Sequence, residues 1–101
     1  MEVSYVSHTF EVVEEKGRKS SRHKTSPYMT KYEYTRLIAQ RAIQLSKGVD
    51  VPRIDATGLY DPKEIAIREL HERVLPYIIL RKLPDGTEES WDPKDMHIRN
   101  F

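Results

Sequence analysis

The side chains best suited to chemistry are few and scattered in this 101-residue sequence. No two of the four histidines share the i, i+4 spacing that presents a metal-binding pair on a helix, and no HExxH, Walker or GxSxG pattern occurs. The absence of cysteine excludes a thiolate nucleophile and a Cys-based zinc site. An enzyme needs a convergent set of titratable groups. We therefore expect no catalytic residue, no metal site and no cofactor in this chain.

A basic segment, residues 16–24, is the second place where chemistry is conceivable. It carries five Lys and Arg residues and no acidic residue, Phe, Tyr or Trp. One interpretation is a nucleic-acid contact or a nuclear localisation signal. The other is a solvated linker that its like charges keep extended, which the absence of base-stacking aromatics favours. Ser20 and Ser21 stand beside Arg22 and suit phosphorylation.

The charge of the remaining chain is balanced. Residues 25–101 carry twelve basic and twelve acidic residues, so they offer no dominant basic field for phosphate neutralisation. A chain of this size buries a small share of its surface, and only 38% of its residues are hydrophobic. We therefore expect marginal stability alone and a protein partner. No apolar run approaches the roughly 20 residues of a membrane span, and no signal-peptide pattern occurs, so we expect an intracellular protein without membrane contact.

The first strongly indicated element is a helix over residues 31–47. Thr30 to Glu33 form a capping box, in which the threonine hydroxyl and the glutamate carboxylate bond each other's backbone N–H groups. Gly48 suits the left-handed position just past the helix. Apolar residues recur at helical spacing between these two ends: Tyr34, Leu37, Ile38, Ala42 and Leu45.

A second helix is predicted to begin after Asp61 and to end before Pro76. Asp61 is the cap, Pro62 occupies the first helical position and Glu64 stands three residues after the cap. Its apolar face contains Ile65, Ala66, Ile67, Leu70 and Val74.

A C-terminal hairpin follows the helices. Residues 77–83 are rich in β-branched and aromatic side chains, Pro84-Asp85-Gly86 has turn chemistry, and residues 87–91 provide the returning strand. Asp92-Pro93 resembles another helix cap, for about one turn. In contrast, residues 1–13 alternate only loosely, so a strand and a disordered arm both remain open. We predict an α+β fold with two main helices, the hairpin and this arm, divided into an arm with basic linker, 1–24, and a domain, 25–101.

Two blocks of residues resemble a known family. The first is Thr25-Ser26-Pro27-Tyr28-Met29-Thr30-Lys31-Tyr32-Glu33 with Arg36 and residues 41–46, and the second runs from Asp61-Pro62 through Arg81 and Leu83-Pro84-Asp85-Gly86 to Trp91. Together they resemble the small subunit of multisubunit RNA polymerases, called omega in bacteria, K in archaea and the sixth subunit in eukaryotes. The match covers roughly residues 25 to 98 and is most similar to the eukaryotic member. Residues 1–24 differ from the acidic arm of that member.

The resemblance implies a non-catalytic polymerase subunit that clamps the largest subunit and promotes assembly of the enzyme. It also implies that nucleic acid is met only through the complex, and that the protein occurs in the nucleus, the archaeal cytoplasm, or a virion or host cytoplasm. Residues carried over as partner-binding are Tyr28, Thr30, Lys31, Glu33, Arg36, Arg41, Gln44 and Arg81. The rival function is a small nucleic-acid-binding module that uses residues 16–24. If the resemblance holds, residues 1–24 are expected to be dispensable for assembly.

Arg41 is the residue whose partner the sequence leaves most open. It lies four residues after Leu37 and four before Leu45, beside the apolar stripe of the first helix, so its charge needs a partner. Glu69 or Glu72 on the second helix could provide a carboxylate within the chain. The resemblance instead places Arg41 beside the largest subunit, and we expect the external partner.

Overall fold

The computed structural model describes residues 9–15 and 23–99. In chain order its elements are β1 (Phe10–Glu14), α1 (Lys31–Ser46), α2 (Pro62–His71), β2 (Tyr77–Lys82), β3 (Glu88–Trp91) and a short 3₁₀ helix (Pro93–Asp95). This arrangement confirms the predicted α+β fold with two helices and a C-terminal hairpin. Residues 1–8 and most of the basic segment, 16–22, lie outside the described residues.

The three strands form one antiparallel sheet in the order β1-β2-β3. Val12 pairs with Ile79, and Ile79 pairs with Trp91 on its other side. The strand interpretation of the N-terminal region is therefore correct for Phe10–Glu14. Because β1 completes the sheet along β2, the boundary after residue 24 does not separate an independent arm from the domain. Deleting residues 1–24 would remove this strand, and the expectation that these residues are dispensable for assembly stays a prediction.

The apolar core lies between the helices and the sheet. It contains residues from both helices, β2, β3 and the segments that flank them, and the half-buried Phe10 and Val12 of β1 pack against it. Its fully buried members include Leu37, Ala66, Leu70 and Ile79. Periodicity had identified the helical members of this set. The core thus fixes α1 and α2 side by side over the sheet.

The ends of α1 follow the sequence closely. The Thr30 hydroxyl accepts from the N–H of Glu33 at 3.0 Å, and the Glu33 carboxylate accepts from the N–H of Thr30 at 2.9 Å, so the capping box is confirmed. Gly48 has φ of +68°, as expected just past the helix.

The end of α2 differs from the prediction. The helix stops at His71 because Arg73 adopts φ of +64°, and the N–H of Val74 then turns back to the carbonyl of Glu69 at 3.0 Å. A non-glycine residue is unfavourable in this conformation. The Arg73 guanidinium donates to the carbonyls of Pro93 and Met96 at 2.9 and 2.8 Å, which ties the turn to the 3₁₀ helix. The helix therefore ends five residues before Pro76.

Candidate partner-binding surface

Arg81 on β2 is the centre of a buried polar cluster at the start of α1. Its Nε and Nη2 donate to the two carboxylate oxygens of Glu33 at 2.7 and 2.9 Å, a bidentate pair in which both side chains are almost fully buried. Its remaining N–H groups donate to the hydroxyl of Thr25 and to the carbonyls of Ser26 and Tyr28. All five donors of the guanidinium thus have acceptors within the chain. We call these contacts the Arg81 cluster.

Glu89 on β3 extends the Arg81 cluster. Its carboxylate accepts from the hydroxyl of Thr25 at 2.6 Å, from the N–H of Lys24 at 2.6 Å and from the indole N–H of Trp91 at 3.2 Å. Burial alone would raise the pKa of the Glu89 carboxyl, but these hydrogen bonds outweigh it and hold the pKa below its usual value. The His23 ring stacks on Trp91 with centroids 3.5 Å apart. The segment before α1 is therefore fixed to the sheet.

Arg41 forms a second buried cluster, which joins α1 to α2 and to the connection between them. Nε and Nη2 donate to the two carboxylate oxygens of Glu69 at 2.7 and 2.8 Å, and both side chains are 0% exposed. Nη1 donates to Gln44 and Asp50, and Nη2 also donates to the carbonyl of Val51. The Glu69 carboxylate also accepts from the backbone N–H of Arg53. We call these contacts the Arg41 cluster.

The pKa values within the Arg41 cluster shift in the directions expected for ion pairs. Burial would lower the pKa of Arg41, but the hydrogen bonds to Glu69 and Asp50 raise it above its usual value. The hydrogen bond from Arg41 is the main cause that lowers the pKa of the Asp50 carboxyl. Both groups therefore stay charged at neutral pH.

The structure corrects the expected environment of Arg41. Its five N–H donors all have acceptors within this chain, and the carboxylate is that of Glu69, one of the two internal candidates. The expectation that its guanidinium bonds an external partner is wrong, because no donor is left for one. Glu33 and Arg81 are likewise buried and hydrogen-bonded to each other. These three buried residues therefore join elements of this chain to one another.

The other carried-over residues are more accessible. Tyr28 is 46% exposed, Lys31 and Arg36 are exposed, and Thr30 and Gln44 are half-buried. Tyr28 packs beside His97, and the Arg99 guanidinium lies 4.7 Å from its ring centroid. The structure brings Tyr28, Thr30, Lys31 and Glu33 together at the start of α1, with Arg81 beneath them. It places Arg36, Arg41 and Gln44 further along the helix.

An exposed stripe on α1 contains residues that sequence reasoning missed. Tyr32 is 59% exposed, Ile43 is 50% exposed, and Arg36 and Ala39 between them are exposed. Their intervals of four, three and four residues place all four on one face of the helix. We call this set the α1 stripe. The same intervals in the sequence are the signal that could have identified it.

A groove runs beside the α1 stripe, between α1 and α2. It encloses about 470 Å³ and is lined by apolar and small side chains with a lysine from each helix. Its lining residues are Lys31, Tyr34, Thr35, Ile38, Ala39, Ala42, Lys63 and Ile67. Ala39 borders both features, so the stripe and the groove form one continuous surface.

The described ranges, 9–15 and 23–99, also bear on metal binding and on membrane contact. Within them no group of three or more His, Cys, Asp or Glu side chains is arranged to hold a metal ion. Neither of the helices there has the length and apolar character needed to cross a membrane.

Comparison with known proteins gives this surface a context. The model of the RNA polymerase Rpb6 family matches residues 24–77, more than half of the chain. The chain belongs to the RNA polymerase Rpb6 family. The matched region of this Rpb6-family chain contains the α1 stripe, the groove and the whole Arg41 cluster.

The relatives of this Rpb6-family chain are polymerase subunits. The probable subunit RPABC2 of DNA-directed RNA polymerases I, II and III from Caenorhabditis briggsae is 39% identical over 97 residues, which cover 95% of this chain and 70% of that protein. The Saccharomyces cerevisiae subunit RPABC2 is 40% identical over 86 residues, 85% of this chain and 55% of that protein. Subunit 6B of polymerases II and V from Arabidopsis thaliana is 40% identical over 77 residues, 76% of this chain and 53% of that protein.

Proposed function

We propose that this chain is a non-catalytic subunit of a DNA-directed RNA polymerase that binds the largest subunit through the exposed side of α1 and promotes assembly of the enzyme. Membership of the Rpb6 family and the polymerase names of its relatives support the subunit role. Because those relatives belong to eukaryotic polymerases I, II and III, we also propose that the chain acts in the nucleus. It carries no cofactor of its own and meets nucleic acid through the complex.

The α1 stripe is the observation that carries this proposal. Tyrosine and arginine are the residue types most enriched among the residues that dominate binding energy, and Tyr32 and Arg36 are both exposed. From Tyr32 to Ile43 the stripe is about 16 Å long. Together with the adjoining groove it presents the mixture of apolar and charged groups that is typical of a protein interface.

The two buried clusters support a rigid presentation of that surface. The Arg81 cluster fixes the first turn of α1 through Glu33, and the Arg41 cluster fixes its second half to α2. A surface that is already ordered before binding loses less conformational entropy when the partner arrives. The charges of both clusters therefore serve the position of α1, and the exposed residues provide the contacts.

The experiment is co-purification with a tagged largest subunit from cells that express this chain or a variant. We expect Ile43→Asp to reduce the retained amount at least about tenfold, since a carboxylate at an apolar contact must be desolvated without a partner. Tyr60→Asp is the matched control, because Tyr60 is 91% exposed and lies outside α1. It should be retained as the unchanged chain is.

Tyr60→Asp should melt at the temperature of the unchanged chain, because Tyr60 is exposed and lies outside the helices. Ile43→Asp places a carboxylate in the last turn of α1, where it is disfavoured, so its retention is measured at a temperature at which the free variant is folded. Equal retention of Ile43→Asp and the unchanged chain would contradict a contact through the α1 stripe. Recovery of nucleic acid without polymerase subunits would contradict the proposal altogether and favour the nucleic-acid-binding module.

A further inference from the structure

The groove between α1 and α2 has an apolar floor. Tyr34, Ile38 and Ala42 of α1 face Ile67 of α2, and Ile38 is buried while the other three are half-buried. The volume of about 470 Å³ falls in the range of sites that bind small molecules or side chains. Binding is stabilised when an apolar group of a partner covers this apolar surface and removes it from water. The floor therefore favours apolar side chains.

The two ends of the groove are positively charged. Lys31 lies in the first turn of α1, and the nearby Tyr34 ring is 6.3 Å from the ring of His71, the last residue of α2. Lys63 lies in the first turn of α2, eight residues before His71, which is about 12 Å along the helix. The lysines therefore stand near opposite ends of the groove.

Neither lysine has an ion-pair partner among the residues that the structure describes. The carboxylate of Asp61 accepts from the backbone N–H of Lys63 at 3.0 Å and serves as the helix cap. In contrast, Lys82 and Lys94 each pair with acidic side chains on the surface. The groove ends are thus suited to anions.

We infer that the groove binds an amphipathic segment of the largest subunit, with apolar side chains in the groove and carboxylates against Lys31 and Lys63. This inference rests on the proposed function and names the chemistry of the partner segment. Charge complementarity selects the occupant: an apolar segment without acids would leave both ammonium groups unpaired, and a basic one would be repelled. Thr35 and Ala39 leave room for the segment to lie close to the backbone of α1.

The test is retention on polymerase purified through its largest subunit, measured at low and at high salt. The variant Lys31→Glu/Lys63→Glu should be retained about tenfold less than the unchanged chain, because each carboxylate of the partner then meets a like charge. High salt should weaken binding of the unchanged chain to the polymerase, so the difference in retention between it and the variant should become smaller. The control is Lys47→Glu/Lys94→Glu, which makes the same charge change outside the groove and should be retained normally.

Two more variants separate failure of this inference from failure of the proposed function. Thr35→Phe fills the groove from a residue outside the α1 stripe, and Ile43→Asp disrupts the α1 stripe. If Ile43→Asp loses retention while Lys31→Glu/Lys63→Glu keeps it, the proposed function stands and the acidic segment is overturned. Loss with Thr35→Phe alone would mean a non-acidic occupant, which also overturns the inference. Normal retention of every variant would overturn both.

Discussion

The Arg81 and Arg41 clusters each hold a buried arginine, at two different places in the fold. Each buries a guanidinium whose five donors all find acceptors within the chain, and each centres on a bidentate bond to one fully buried glutamate. They differ in their further acceptors. Arg41 also bonds the carboxylate of Asp50, which is 27% exposed, whereas the further acceptors of Arg81 include the Thr25 hydroxyl and two backbone carbonyls.

This difference matters for what each cluster does to the fold. The Arg81 cluster joins the segment before α1 to two strands, and the Arg41 cluster joins two helices and their connection. Buried ion pairs are weak sources of net stability, but breaking one leaves an uncompensated charge. We therefore interpret both clusters as devices that fix positions. Between them they hold α1 in place and leave its other side exposed.

The largest expected effect is the loss of stability when the central carboxylate of a cluster is removed, and this loss should differ between the two clusters. Glu33→Ala should lower the free energy of unfolding by about 3–5 kcal/mol, since Arg81 loses its bidentate carboxylate in a buried site. Glu69→Ala should cost less, because Arg41 keeps the hydrogen bond to Asp50. Urea denaturation of both variants measures the difference. An equal or larger cost for Glu69→Ala would show that Asp50 does not compensate.

Much of the fold could be predicted from the sequence because the relevant signals are local. The Thr30 capping box, the Asp61-Pro62 helix start and the Pro84-Asp85-Gly86 turn each depend on a few adjacent residues, and each was confirmed. The end of α2 was missed because Arg73 adopts a conformation that is rare outside glycine. Strand β1 stayed ambiguous because its stability comes from pairing with β2, more than 60 residues away.

The candidate site was less predictable for the same reason. Arg41 was correctly placed beside the apolar stripe, and Glu69 was one of two internal candidates, but the choice depends on how α1 and α2 pack. Glu33 and Arg81 are 48 residues apart, and no local spacing links them. A resemblance alone cannot distinguish residues kept for contact with a partner from residues kept for contact with each other.

A smaller effect concerns pH and again separates the clusters. Because the pKa of Glu89 is lower in the folded chain, its contribution to stability is complete above the unfolded pKa and is lost as pH falls through the folded value. Unfolding free energy should therefore fall below about pH 5. Glu89→Gln should be less stable at neutral pH and should show a flatter acid dependence.

The Arg41 cluster provides the comparison. The pKa of Asp50 is also lowered, mainly by the hydrogen bond from Arg41, so Asp50→Asn should likewise reduce the loss of stability at acid pH. Denaturant titrations at a series of pH values measure both slopes. An acid dependence of Glu89→Gln identical to that of the unchanged chain would show that Glu89 does not titrate with folding.

The measurement that tests the central claim most directly compares Arg36→Glu with Arg41→Lys. For each variant, the amount retained on polymerase purified through the largest subunit is set against the free energy of unfolding of the free chain. We predict that Arg36→Glu loses retention with unchanged stability. We predict that Arg41→Lys loses about 1–3 kcal/mol of stability, because lysine cannot reproduce the bidentate bond, and that its remaining folded fraction is retained normally. The opposite pattern, an Arg41→Lys variant that is stable but not retained and an Arg36→Glu variant that is retained, would contradict the account.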